Sequence, residues 1–554
     1  MRSQLAFWLV LLFMAGCFAP DLSARTAPDT YWVQFTDKEG TPFSLAEPEA
    51  FLSPRAIARR EAQHISYDEK DLPVDPAYVA AVQATGAQVL NTSKWFNAVT
   101  IRVVDESMLT AIQALPFVAI VRATRSALVA SPREDKFRSL PSMELRGGGP
   151  ADPGPSFTQT AMLSGHELHA LGAQGQGMLI GLLDSGFQGV DSSAAFAAVR
   201  ARNGFVLTRD LVTHDGDVFD DHWHGRSVLS TMAGVLDGQL LGTAPEADYV
   251  LLRTEDADTE YLVEEDNWIS GAELADSLGC DVLNTSLGYT TFDDSTMDHT
   301  IDQLDGHTVR MSIAASIASQ KGMVPVFSAG NRGDDEWHYI SVPADAVDVL
   351  TVGAVGEMED HASFSSFGPS ADGRVKPDVC AMGWGTTILR SDADSITFAN
   401  GTSFASPIVA GLVACLWQLH PERTAQQIMD AVRRSASFFS APNDSLGYGV
   451  PDLAAAHAWL QLTASVPEEP RSATTVWPVP FQQQLHVHDV RLREGASYYA
   501  LFDANGRASD LRRTQVDGNG GMIATVSELL PPGPYLLKVM QGELVMYLRV
   551  MRAP

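Results

Sequence analysis

Cysteine is scarce in this chain, four residues in 554, which excludes a fold stapled by a disulfide framework. Cys280, Cys380 and Cys415 lie in apolar strand or helix contexts and read as core thiols, with one disulfide plus one free thiol as the other arithmetic. Basic residues are also few, 38 Lys and Arg against 68 Asp and Glu, for a formal charge of −30. That balance argues against nucleic acid and anionic membrane surfaces as partners. Long apolar runs are missing beyond the start. The stretch from Leu5 to Ala19 follows Arg2 and ends near the small residues Leu22-Ser23-Ala24, which reads as a secretory signal over 1–24, too short to span a membrane. Met14-Ala15-Gly16-Cys17 resembles a lipoprotein lipobox except for methionine at its first position, so lipid anchoring at Cys17 is the lesser expectation and secretion the main one.

What the chain has, with 45% apolar residues, is enough material for several globular domains. Residues 25–140 hold a strand-like Tyr31–Phe35, a helical Pro76–Ala84, strand-like stretches at Ala87–Leu90 and Asn97–Val104, a helix from Ser107 to Leu115 and a strand at Phe117–Arg122, a small α+β unit. The segment Pro132–Pro155, rich in Pro, Gly and charge, reads as the exposed linker to the next domain, the kind of segment proteases prefer. From 156 to 465, strands at Met178–Asp184, Asp248–Thr254, Asp281–Ser286, Val324–Ala329 and Val349–Val355 alternate with helical stretches, predicting an α/β fold with a largely parallel sheet covered on both faces. After Val466-Pro-Glu-Glu-Pro470 the composition turns to Thr, Val, Pro and Gly with short strands, predicting a β-sandwich over 470–554.

Four segments of the α/β region carry chemistry. Asp184 ends an apolar strand just before Ser185-Gly186, where open α/β sheets place their sites. His224 opens a helix in His222-Trp-His-Gly-Arg-Ser227. Asn331 sits at the tip of a strand in Ser328-Ala-Gly-Asn-Arg-Gly333, with an amide that can donate to an oxyanion. Ser403, in Asn400-Gly-Thr-Ser-Phe-Ala-Ser-Pro407, precedes a long apolar helix whose unpaired N–H groups favour developing negative charge. Acyl transfer by serine needs such a base, an orienting carboxylate and oxyanion donors.

This set, in the order Asp, His, Asn, Ser, resembles the subtilisin-like serine proteases, or subtilases. The resemblance implies Asp184 as the residue orienting His224, His224 as general base, Ser403 as nucleophile, and Asn331 with the Ser403 N–H as oxyanion hole. It further implies that Ser286, Leu287 and Gly288 pair with the substrate backbone, that Ala329 and Gly330 line the pocket before the scissile bond, and that no cofactor is required. Structural calcium belongs to what such enzymes accommodate, without residues here that assign it. The family pattern departs at Arg226-Ser227 and at Phe404, and the neighbouring His222 leaves two histidines to choose between, of which only His224 precedes the glycine. The N-terminal unit resembles subtilase propeptides, temporary inhibitors and folding assistants. The tail, with Trp477-Pro-Val-Pro-Phe481, Asp503-Ala-Asn-Gly506 and Gly533-Pro-Tyr535, resembles the sorting domains of type IX secretion. The partners implied are protein or peptide substrates, the chain's own propeptide and that secretion machinery.

Rival readings fare worse. Ser403 lacks the Gly-x-Ser-x-Gly context and chain order of α/β-hydrolases, and His166-Glu-Leu-His169 is one residue short of a zinc motif. His214-Asp-Gly-Asp217 with Asp220-Asp-His222 reads as a solvated acidic loop in preference to a calcium site. The run from Thr254 to Glu260, with Glu264, Glu265 and Asp266, is open between a solvated loop and a feature favouring basic substrates. A binding module that keeps the fold without turnover is the rival of another class.

Overall fold

The computed structural model describes residues 29–125, 136–137, 154–391, 393–463, 475–477, 484–488, 492–502, 512–517, 521–525, 533–542 and 544–552. The signal segment, Cys17 and most of the linker lie outside them. The chain divides into two compact units, Met1–Gln461 and Leu462–Pro554.

The first unit begins with an antiparallel sheet of β1 (Thr30–Phe35), β2 (Gln88–Ser93), β3 (Ala98–Arg102) and β4 (Val118–Arg125), in the order β2-β3-β1-β4. Helices α1 (Pro54–Ala62), α2 (Pro76–Ala84) and α3 (Glu106–Gln113) accompany it. Each helix starts on a polar cap: the side chains of Ser53, Asp75 and Asp105 accept from the N–H groups of Ala56, Ala77 and Ser107, and Pro opens both α1 and α2. Val33, Val82, Val99, Ile101 and Ile112 close a small core.

The larger part of this unit is a seven-stranded, all-parallel sheet. Its strands are β5 (Leu179–Asp184), β6 (Phe205–Asp210), β7 (Asp248–Arg253), β8 (Val282–Thr285), β9 (Val324–Ser328), β10 (Leu350–Val355) and β11 (Val379–Met382), ordered β11-β10-β9-β8-β5-β7-β6. All residues of β5, β8, β9, β10 and β11 are buried, as expected of parallel strands covered on both faces. The chain lays down β6 and β7 on one side of β5, then β8 to β11 outward on the other. The carboxyl ends of β5 and β8 therefore flank the point where strand order reverses, the place where such sheets form crevices. Four helices matter below: α4 (His224–Ala233), α5 (Val263–Leu278), α6 (Arg310–Gln320) and α7 (Thr402–Gln418). Apolar around its whole circumference, α7 is the buried centre of one face of the sheet.

The N-terminal unit is fastened to α5 by charge. Glu273 accepts from Ser93 Oγ (2.6 Å) and from the backbone N–H groups of Lys94 (2.6 Å) and Trp95 (3.0 Å). One turn on, Asp276 takes Arg59 (2.5 Å), Arg60 (2.8 and 3.0 Å) and Lys94 (2.9 Å). All three cations come from the N-terminal unit. Arg60 also reaches Asp71 (2.9 Å), which Lys321 contacts at 2.7 Å. Burial pushes the Glu273 carboxyl up to about 7 against its hydrogen bonds. Burial would raise Asp276 too, but Lys94, Arg59 and Arg60 outweigh it and hold that carboxyl at about 2.

In the second unit, β12 (Thr475–Trp477), β13 (Gln484–His488), β14 (Gly495–Phe502), β15 (Arg512–Val516), β16 (Gly521–Thr525), β17 (Gly533–Gln541) and β18 (Leu544–Arg552) form one antiparallel sheet, ordered β12-β13-β16-β15-β14-β17-β18. Alternate residues such as Leu485 and Val487, Tyr499 and Leu501, and Leu537 and Val539 share one apolar cluster. Strands β15 and β16 meet through one register pair, Val516 with Met522, and the strands on both sides of that junction contribute to the shared cluster. Cys280, Cys380 and Cys415 are buried and unpaired, and burial pushes the thiols of Cys280 and Cys380 up to about 12. Among the described residues no helix is long and apolar enough to cross a membrane.

Candidate active site

The end of β5, the start of α4, the end of β9 and the start of α7 converge on one cleft of about 380 Å³, lined among others by His224, Ser286, Gly288, Asn331 and Ser403. Asp184 is fully buried, and its Oδ1 meets His224 Nδ1 at 2.7 Å while accepting from the Ser185 N–H at 2.8 Å. The close approach of α4 to β5 depends on glycine. A Cβ on Gly225 would lie 2.3 Å from the Gly186 carbonyl oxygen and 3.0 Å from Asp184 Cβ. His222, the other candidate, is engaged elsewhere: its Nδ1 lies 3.0 Å from Ser185 Oγ and accepts weakly from the His224 N–H (3.3 Å). Geometry thus separates the two histidines that the sequence leaves adjacent.

The start of α7 is held by three contacts. Gly401 precedes it at φ 151°, ψ 143°, backbone territory open almost only to glycine. Asn331 Oδ1 accepts from the Thr402 N–H and the Thr402 hydroxyl, both at 2.9 Å. Asn331 and Ser403 both line the cleft, and the Ser403 N–H, in the first turn of α7, has no helical carbonyl to meet. The third contact repairs a defect. Pro407 lies inside α7 and has no N–H for the carbonyl four residues earlier, that of Ser403. Ser286 Oγ donates to that carbonyl instead, at 2.8 Å, and Ser403 Oγ in turn donates to the Ser286 carbonyl at 3.2 Å. Ser286 therefore braces the turn that carries Ser403.

Leu287 is buried and Gly288 exposed just beyond β8, leaving an open backbone edge beside Ser403. Ala329 is buried behind this edge, with Gly330 next to it on the cleft wall. The departures from pattern have local partners. Arg226 reaches the Gln188 carbonyl (3.2 Å) and Asp394 (3.3 Å), and the Phe404 ring lies 6.1 Å from that of His224. His169 Nε2 is 2.8 Å from the Thr243 carbonyl, and the loop at 213–217 is exposed.

Two residues of the segment expected to be linker, Lys136 and Phe137, line the cleft. The Phe137 ring lies 4.4 Å from the His224 ring and 4.9 Å from that of His222. Next to it, the Lys136 ammonium enters a nest of buried carboxylates, Glu255, Glu260 and Glu264. The acidic run read as either a solvated loop or a feature for basic groups is therefore largely inside the protein. Glu265 pairs with His299 (2.5 Å) and Asp266 with Arg310. No local sequence signal joins Lys136 to carboxylates more than a hundred residues away.

Residues 175–449 match the subtilase family, and residues 30–138 match the peptidase S8 propeptide domain of Bacteroidota. The chain is 30% identical to the subtilisin of Bacillus pumilus over 281 residues, 50% of this chain and 89% of that protein. It is also 30% identical over 289 residues to subtilisin NAT of Bacillus subtilis subsp. natto, covering 51% of this chain but 65% of the relative. In three dimensions it is similar to fervidolysin from Fervidobacterium pennivorans, a keratinolytic enzyme related to subtilisin, with a TM-score of 0.51 at 17% identity over 92% of this chain and 70% of the other. At that identity the likeness concerns the fold alone.

Proposed function

This chain belongs to the subtilase family and carries that family's propeptide domain, and from that premise we propose that it is a secreted serine endopeptidase made as a self-processing precursor. The observation that carries the reading is the 2.7 Å contact of His224 Nδ1 with Asp184, in the cleft that also holds Ser403 and Asn331. Rotation about the Ser403 Cα–Cβ bond turns its hydroxyl from the Ser286 carbonyl toward the free edge of the imidazole. Ser403 Oγ then attacks the substrate carbonyl carbon while His224 Nε2 takes its proton. Asp184 holds the Nδ1–H and stabilises the imidazolium. The Asn331 NH₂ and the Ser403 N–H donate to the oxyanion. His224 returns the proton to the departing amine as the C–N bond breaks, and water, activated in the same way, releases the acyl group.

The substrate lies as an extended strand along Ser286, Leu287 and Gly288, with the side chain before the scissile bond against Ala329 and Gly330. Residues 25–140 act as the temporary inhibitor, and the chain cuts itself in the linker before 155, leaving the protease at 156–465. Residues 1–24 direct export. The domain at 470–554 serves type IX sorting, and the chemistry needs no cofactor. A fluorophosphonate probe tests the reading: adduct mapped to Ser403, and lost in His224→Ala, supports it, whereas a folded, matured protein that takes no label overturns it.

A further inference from the structure

We propose that Glu255, Glu260 and Glu264 form a specificity pocket that selects a lysine or arginine side chain on the N-terminal side of the scissile bond, a pocket that Lys136 fills in the precursor. The inference rests on the reading of the cleft as a protease site and names its substrate class.

The pocket has four oxygens for one ammonium. Lys136 Nζ contacts Glu255 Oε1, lies 3.0 Å from Glu260 Oε2 and 3.2 Å from Glu264 Oε1, and donates to the Thr259 carbonyl at 2.6 Å. The carboxylates are only 2%, 8% and 1% exposed, so they are an internal cation site and not a solvated acidic surface. Lys136 does not assemble them. Glu264 accepts from the N–H groups of Asp256 (2.9 Å) and Tyr261 (3.0 Å), and Tyr289 donates its hydroxyl to Glu255. The protease part of the chain therefore holds Glu255 and Glu264 in place by itself. Their facing oxygens lie within 4.8 Å of one another, an arrangement in which several buried negative charges need a cation.

The path of the chain shows which side of the cut the pocket reads. Lys136 is one residue upstream of Phe137, whose ring is on His224. Glu255 and Glu260 line the same cleft as Ser286, Leu287 and Gly288, the edge assigned to the acyl side of the substrate. The propeptide match ends at residue 138, so its last residues lie in the cleft with a basic side chain in the acidic nest. When the propeptide leaves, the Lys136 ammonium leaves with it, and a substrate lysine or arginine brings a cation to the same oxygens. A leucine brings neither charge nor hydrogen-bond donor there.

The test uses matured wild-type enzyme and fluorogenic peptides in which each of the four residues before the scissile bond is varied in turn among Lys, Arg, Leu and Glu. The expected result is one position where Lys and Arg exceed Leu in kcat/KM by tenfold or more and Glu is poorest. Glu260→Gln is expected to cut the Lys:Leu ratio at that position by at least tenfold. Cleavage of peptides and of unfolded casein with no basic preference at any position overturns this proposal and leaves the protease reading standing. The same holds for an unchanged ratio in Glu260→Gln. A calcium-dependent rise in Tm that is lost in Glu260→Gln, without a basic preference in the wild type, would make the trio a metal site instead. No cleavage of any substrate by folded, matured protein overturns both readings.

Discussion

Asp276→Ala should release the propeptide. In the precursor this one carboxylate pairs with Arg59, Arg60 and Lys94 at 2.5–3.0 Å, and all four residues are at most 9% exposed. Removing one partner from a buried ion cluster typically costs about 3–5 kcal/mol, because the remaining charges stay out of water without compensation. The Glu273 contacts remain, and Asp71 still meets Arg60, so the lower half of that range applies. At about 1.4 kcal/mol per decade, propeptide affinity should fall by roughly 10²–10³. The assay is the inhibition constant of separately added propeptide against matured wild type and Asp276→Ala, each referred to its own uninhibited rate. Inhibition constants within threefold of each other would refute the claim that this cluster holds the propeptide.

The same interface should respond to pH. Glu273 is raised to about 7 in the complex from 4.5, so the association it contributes is complete below about 4.5 and is lost as pH rises through 7. Asp276, lowered from 3.8 to about 2, contributes above 3.8 and loses its part as pH falls toward 2. Separately added propeptide should therefore dissociate from immobilised, matured wild-type protease more readily at pH 8 than at pH 5, by up to about 10²-fold in Kd. A pH-independent Kd would contradict that sign. Asn331→Ala should lower kcat by roughly 10²–10³ with little change in KM, a figure carried over from this family's own oxyanion-hole donor and not worked from this structure. Steady-state kinetics on a peptide substrate check it, and unaltered kcat would remove Asn331 from the oxyanion hole.

The four cleft residues were legible because each announces itself locally. Asp184 ends an apolar strand and Asn331 follows one by three residues, while His224 and Ser403 open helices beside glycines. Strand β6, by contrast, was not read from the sequence: Phe-Val-Leu-Thr-Arg-Asp at the sheet edge is mostly half-exposed or exposed and lacks the apolar run of its neighbours. Strand β11, Val379–Met382, is likewise absent from the strands that the sequence pattern predicts. Helix α1 has a negative mean hydropathy that suits a surface segment, yet Arg59 and Arg60 are buried against Asp276. Their environment comes from a helix more than two hundred residues later. The brace from Ser286 to the carbonyl that Pro407 leaves unpaired and the seating of Lys136 are likewise long-range contacts, which spacing along the chain does not encode.

The central claim is that Ser403 cuts peptide bonds, its own linker first. Mass spectrometry of full-length wild type and Ser403→Ala, before and after incubation with unfolded casein, tests it most directly. Wild type should mature by cleavage within 132–155 and degrade casein, while Ser403→Ala stays at full length and leaves casein intact. A folded Ser403→Ala protein that still matures itself or degrades casein would contradict the account, as would a folded wild type that remains uncut and inert.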